Sequence, residues 1–151
     1  DGQVSYDEYV DLKTDFERSG GYERLPPYID ALELLQREQK MGTYLLFITA
    51  RPVHAIRRIR SDTVDWLNRY EIEPDNLIFG SDKRLIELLS LRGSSRVCML
   101  EDNPSLALRA ANSGISVWLR DQPYNDYIEH DNIKRFQTYP NQIEWEENDA
   151  E

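Results

Sequence analysis

Three short segments carry side chains that could act on a phosphate. Thr49-Ala50-Arg51-Pro52 sets a hydroxyl, free backbone amides and a guanidinium within four residues. Between a strand and a helix, such amides and the helix dipole both favour a bound anion. Gly80-Ser81-Asp82-Lys83 puts a lysine where the first turn of a helix is expected. The dipole disfavours a cation there, and a bound phosphate would justify it. Glu101-Asp102-Asn103-Pro104 sets two adjacent carboxylates before a proline. Hard oxygen ligands of this kind suit Mg²⁺, which is held by one or two carboxylates together with substrate phosphates. Each segment also has a plainer reading: Thr49 closing a turn, Lys83 as a solvated cation, an acid or Asn103 capping a helix. Asn103 before Pro104 suffices as the cap, so the acidic pair is left without a structural task. Taken together, the segments supply anion donors, a fixed cation and a metal-binding acid pair, the parts of a phosphoryl-transfer site.

The elements expected to position these residues alternate along the chain. Tyr28–Met41 carries Ile29, Leu32 and Leu35 at helical spacing and stops at Gly42. Thr43–Ile48 (TYLLFI) is a short apolar run, as expected of a strand buried on both faces. Val53–Tyr70 carries a helical stripe of Ile56, Ile59, Val64 and Leu67, and Asn76–Phe79 is a short strand. Ser81 or Asp82 can cap a helix running through Leu91, and Arg96–Leu100 (RVCML) is another buried strand. Pro104–Ser113 is a helix closed by Gly114, and Ile115–Leu119 (ISVWL) is a strand. Strands alternating with helices predict an α/β fold, a Rossmann-like doubly wound parallel sheet. Ligands in such sheets sit beyond the carboxyl ends of the strands, where the three segments fall.

Composition narrows the function classes. The chain has 151 residues, 40% apolar and 30% charged, which suits one α/β domain over residues 1–140. Lys plus Arg is 18 against 28 Asp plus Glu, a net charge of −10. An acidic chain is a poor general partner for nucleic acid, whose phosphates need clustered cations. No run approaches the ~18 apolar residues of a membrane span, so no membrane partner is expected. Cys98 is the single cysteine, which excludes a disulfide framework and a Cys-based zinc site and fits a reducing, cytoplasmic setting. Residues 141–151 form an acidic tail, with Glu144, Glu146, Glu147, Asp149 and Glu151 in the last eight positions; it reads as a solvated end. Arg51, His54, Arg57, Arg58 and Arg60 make a basic cluster. It could recruit a polyanion, or its stems could simply cover apolar surface on a solvated helix face.

Thr49 in LLFITARP, Lys83 in FGSDKR and Glu101-Asp102 in VCMLEDNPSLALRAANSGISVWL resemble the second, third and fourth motifs of the haloacid dehalogenase-like superfamily. The likeness spans roughly residues 26 to 120. The segments GGYERLPPYIDAL and PYNDYIEHDNIKRF are similar to the small-cap 5′-nucleotidase and deoxyribonucleotidase group. The resemblance implies Mg²⁺-dependent hydrolysis of a phosphomonoester through an aspartyl-phosphate, with a phosphorylated small molecule as substrate, nucleotides among the candidates. Thr49 would hydrogen-bond the transferring phosphoryl group, with Ala50 and Arg51 beside it. Lys83 would neutralise charge on nucleophile and phosphate, and Asp102 with Glu101 would hold Mg²⁺. A minimal helical cap would occupy residues 5–25, with a helix over Tyr6–Arg18.

The family's first motif is an apolar strand ending Asp-x-Asp-Gly, whose first Asp is the nucleophile. Asp1-Gly2 matches the end of that motif. Asp1 is then the general acid/base and a further metal ligand, and the nucleophile is expected upstream of residue 1. Residues 1–151 alone are accordingly expected to be inactive. The alternative is a catalytically inactive relative acting as a binding or assembly subunit with a protein partner. A response-regulator receiver uses similar parts, but there the phospho-acceptor Asp precedes the Thr and the Lys comes last. The order here is Thr49, Lys83, Glu101-Asp102.

Overall fold

In a computed structural model of the chain, the described residues are 4–80 and 97–143. Asp1, Lys83, the helix expected from Ser81 to Leu91, Arg96 at the start of an expected strand, and the acidic tail from Glu144 lie outside them. The chain divides into two compact units, Asp1–Phe79 and Gly80–Glu151, each of mixed α/β structure with parallel strands.

The first unit opens on α1 (Tyr6–Arg18). Ser5 starts it with a reciprocal cap: its amide donates to Glu8 Oε2 at 2.8 Å, and the Glu8 amide donates to Ser5 Oγ at 3.3 Å. A short α2 (Gly21–Arg24) follows. Gly20 turns the chain between them with a positive φ of 81°, and a Cβ there would also collide with the Arg58 guanidinium. Then come α3 (Ile29–Lys40), β1 (Leu46–Thr49), α4 (Arg58–Arg69) and β2 (Asn76–Phe79). β1 and β2 run parallel, with Thr49 opposite Phe79. Leu34, Leu45, Ile59, Leu67 and Ile72 are buried and form this unit's core. The expected cap segment, α1 with α2, is tied to α4. Arg58 Nη1 donates to the Arg18 carbonyl at 3.1 Å, Trp66 Nε1 to the Leu25 carbonyl at 2.7 Å, and Arg69 Nη1 to the Glu23 carbonyl at 2.7 Å.

Two boundaries here differ from expectation. The helix expected from Val53 begins only at Arg58. Between Ala50 and Arg57 there is no Ser, Thr, Asp or Asn to cap it, and the chain instead folds into turns about Pro52. The Pro52 carbonyl accepts the amides of Ala55 (3.0 Å) and Ile56 (3.1 Å). The strand expected over Thr43–Ile48 is shifted to Leu46–Thr49. Thr43 still bonds back to α3, its amide reaching the Glu38 carbonyl at 3.0 Å, and the Leu45 amide is taken by Asp75 Oδ2 at 2.7 Å.

The second unit contains β3 (Cys98–Glu101), α5 (Pro104–Asn112), β4 (Ser116–Arg120) and β5 (Ile133–Phe136). The three strands are parallel in the order β3-β4-β5. Ala107, Ala110 and Ala111 on α5 bury a small-residue face against Ile115, Val117, Leu119 and Ile128. β4, the central strand, is buried through Val117, Trp118 and Leu119. β1 and β3 were expected to be buried on both faces, yet both are half-buried. Each is an edge strand of its own small sheet, and among the described residues no ladder joins the two sheets. β5 escaped the sequence reading because its centre is cationic. Lys134 Nζ lies 4.5 Å from the Trp118 ring centre and Arg135 pairs with Asp121 at 2.7 Å, which suits a charged edge strand. Among the described residues no helix is long and apolar enough to cross a membrane.

Candidate functional site

In the first unit, Thr49 is the last residue of β1, as the sequence predicts. Its Oγ1 accepts the Arg51 amide at 3.3 Å, which closes the turn locally and leaves the hydroxyl proton to be directed elsewhere. Ala50 is exposed beside it. The helix that was to lend its dipole begins at Arg58, so no helix terminus directly follows this strand end, and the amides of Val53, Ala55 and Ile56 bond carbonyls within the turn.

Arg51 has turned inward rather than out to solvent. Its Nη1 donates to Thr63 Oγ1 at 2.8 Å, and its guanidinium lies 4.2 Å from the Tyr22 ring centre. Burial lowers its pKa from the ordinary arginine range, opposed by Tyr22 and Asp62. The Tyr22 hydroxyl donates to buried Glu17 at 3.0 Å. Burial and that carboxylate push the phenol up to about 12. Arg51 is therefore a strut linking α2, α4 and the β1 loop, and its planar fork suits that stacked, bonded role.

The rest of the basic cluster is similarly engaged. Arg58 pairs with buried Asp62 at 3.0 Å, and Arg60 lies 4.4 Å from the centre of the Phe79 ring. These contacts match a helix face whose Arg stems cover neighbouring surface; His54 and Arg57 are exposed.

In the second unit, Glu101 ends β3 and Asp102 follows it. Capping of α5 is carried out by Asn103, whose Oδ1 accepts the amides of Ser105 (3.0 Å) and Leu106 (3.2 Å). Glu101 Oε1 accepts the amides of Asp102 and Asn103, both at 2.9 Å. Burial raises the Glu101 pKa; the two amide bonds oppose this, and the adjoining Asp102 carboxyl adds to it. Asp102 is exposed, and its Oδ2 accepts the Tyr124 hydroxyl at 2.7 Å.

Behind this pair lies a polar bracket that the sequence reading missed. Asn125 is fully buried. Its Nδ2 donates to the Asp102 carbonyl at 2.8 Å and to the Arg120 carbonyl at 2.9 Å. Its Oδ1 accepts the Gln122 amide at 3.1 Å and Arg135 Nη2 at 3.2 Å. Arg135 also bonds the Asn125 carbonyl at 2.8 Å and pairs with Asp121. The loop after β3 is thereby pinned to the loop after β4. A signal was available: Arg120 and Asp121 follow a fourth parallel strand, and the strand-end rule applies to them as it does to Glu101.

Glu101 and Asp102 fit a hard divalent cation by the chemistry of their donors. Both are hard oxygen donors, and the neighbouring Asp102 carboxyl adds to the upward shift of Glu101, a repulsion that a cation would offset. Among the described residues no group of three His, Cys, Asp or Glu converges as a ligand set; Asp1, the expected third ligand, is outside them. Lys83 is outside them as well. Thr49 and Arg51 belong to one unit and Glu101 and Asp102 to the other. No protein-family model, no curated protein and no solved structure matches this chain.

Proposed function

We propose that the chain is the body of a Mg²⁺-dependent phosphomonoester hydrolase acting on a phosphorylated small molecule, nucleotides among the candidates. The observation that supports it best is the acidic pair closing β3. Asn103 does the capping of α5, so the cap does not call for Glu101 or Asp102, and the pair lies at the strand end where α/β sheets bind ligands.

In this reading Asp102, with Glu101 beside it, holds Mg²⁺. The ion supplies charge neutralisation on the phosphoryl oxygens. The Thr49 hydroxyl and the Ala50 amide hold the phosphoryl group, and the Arg51 amide, which donates to Thr49 Oγ1, keeps that hydroxyl in place. Lys83 balances charge between nucleophile and phosphate. Asp1 donates a proton to the leaving oxygen, then takes one from the water that hydrolyses the aspartyl-phosphate. The aspartyl-phosphate requires a nucleophilic aspartate two positions before the one that Asp1 matches in the resembled motif.

A second reading is a non-catalytic binding or assembly subunit of the same ancestry. It is favoured by the commitment of Asp102 Oδ2, Glu101 Oε1 and Arg51 to partners within the chain.

Phosphate release from p-nitrophenyl phosphate and nucleoside monophosphates separates the two. The full-length protein should turn over with Mg²⁺ and stop with EDTA. Asp102→Asn should lower the rate by at least about a hundredfold. Residues 1–151 alone should release none. Turnover by residues 1–151 that Asp102→Asn leaves unchanged would overturn the assignment. No turnover by the full-length protein would favour the binding subunit.

A further inference from the structure

We propose that the outer face of α1 docks a cationic amphipathic helix of another protein. Tyr9, Leu12 and Phe16 follow the spacing i, i+3, i+7, which places them in one row along the helix. Glu8, Asp11 and Asp15 repeat that spacing one residue earlier and form a parallel acidic row. Tyr9 is 56% exposed, Leu12 62% and Phe16 37%. All three acids are exposed as well. Single apolar residues on a surface are ordinary, but an apolar row at helical spacing is how one helix is read by another.

The contacts that hold α1 leave from another side of the helix. Glu17 is buried there and accepts the Tyr22 hydroxyl at 3.0 Å. The row itself is held in place at both ends. The reciprocal cap of Ser5 and Glu8 fixes the first turn. The Phe16 ring meets Tyr22 edge to face with centres 5.3 Å apart, and it lies so close over Gly21 that a Cβ there would collide with it. A surface fixed in this way loses little conformational entropy on binding.

Charge selects the occupant. α1 carries five acids against two cations. A second copy of α1 would set acids against acids, and an anionic lipid surface is repelled in the same way. A partner helix with Lys and Arg beside an apolar row meets both rows of α1 at once. The docking face is independent of the phosphatase reading, since it uses none of the residues placed in that site.

Fluorescence anisotropy of a labelled amphipathic Leu/Lys peptide, titrated with the full chain, tests this. A scrambled peptide of the same composition measures attraction by charge alone. The amphipathic peptide should bind at least about tenfold more tightly than the scrambled one, and Leu12→Gln or Tyr9→Gln should remove most of that difference. Asp11→Asn with Asp15→Asn should weaken binding roughly tenfold and flatten its dependence on salt. Far-UV circular dichroism and the melting temperature should stay unchanged in all of these variants, because the altered side chains are exposed. Equal binding of the two peptides, no binding of the amphipathic one, or binding unmoved by the Gln variants or by the Asn pair overturns the proposal. Self-association of the unaltered chain in sedimentation, lost in Leu12→Gln, assigns the row to a second copy and also overturns it.

Discussion

Replacing Asn125 by alanine should be the most damaging single change in the second unit. The side chain is fully buried and makes four hydrogen bonds, to the carbonyls of Asp102 and Arg120, the amide of Gln122 and the guanidinium of Arg135. Alanine removes all four and supplies nothing in their place. A typical net value of about 1 kcal/mol per bond gives a loss of roughly 4 kcal/mol. The smaller residue also leaves a void lined by polar groups. Water entering it would recover part of the loss, which puts the expected range at about 3–4 kcal/mol. That is a large share of the ~5–15 kcal/mol that stabilises a typical domain. Urea unfolding followed by tryptophan fluorescence reads the loss, with Trp118 on β4 as a reporter inside the affected unit. The midpoint should fall with an unchanged slope. Tyr124→Phe, one residue away and half-exposed, should cost less than about 1 kcal/mol. A loss below about 1 kcal/mol for Asn125→Ala would refute the bracket as the tie between the two loops.

Arg51→Ala should destabilise the first unit by about 2 kcal/mol, from the lost Thr63 bond and the lost stacking on Tyr22; Arg51→Lys should recover less than half of it in the same urea assay, since an ammonium lacks the planar fork. Glu101→Gln should have an effect that fades as pH falls. Burial raises the Glu101 pKa above its ordinary 4.5, so its protonated form favours folding below that value and the advantage is lost as pH rises through the raised value. The neutral glutamine should therefore be more stable than the native chain at pH 7 and equal to it near pH 4, measured by thermal melts without metal. Greater stability of the native chain at pH 7 would contradict the cause assigned here.

Much of the architecture was legible because it follows from local patterns. The apolar run before Glu101, the proline opening α5 and the glycine closing it located β3, α5 and β4 to within a residue or two. Asn103 was readable as the cap because Asn before Pro has that task in most settings. The start of α4 was misread because apolar periodicity at Ile56 and Ile59 ran on through a stretch with no capping side chain. β5 was missed because its stability comes from Trp118, Asp121 and Asn125, which lie outside its own sequence window. The inward turn of Arg51 was hidden for the same reason, since Tyr22 and Thr63 are 29 and 12 positions away. At the site, chemistry-bearing residue types marked Thr49, Glu101 and Asp102. The side chains that hold Asp102, Tyr124 and Asn125, are neutral and sit on a loop, where residue type alone signals little.

Covalent capture of the intermediate tests the proposed function most directly. The full-length protein, mixed with Mg²⁺ and a nucleoside monophosphate labelled with ³²P on its phosphate, is quenched in acid within milliseconds to seconds. The account predicts label on the protein that hydroxylamine removes, as for an acyl phosphate, and its disappearance in Asp102→Asn. Phosphate released into solution with no protein-bound label at any quench time, or label that persists in Asp102→Asn, would contradict it.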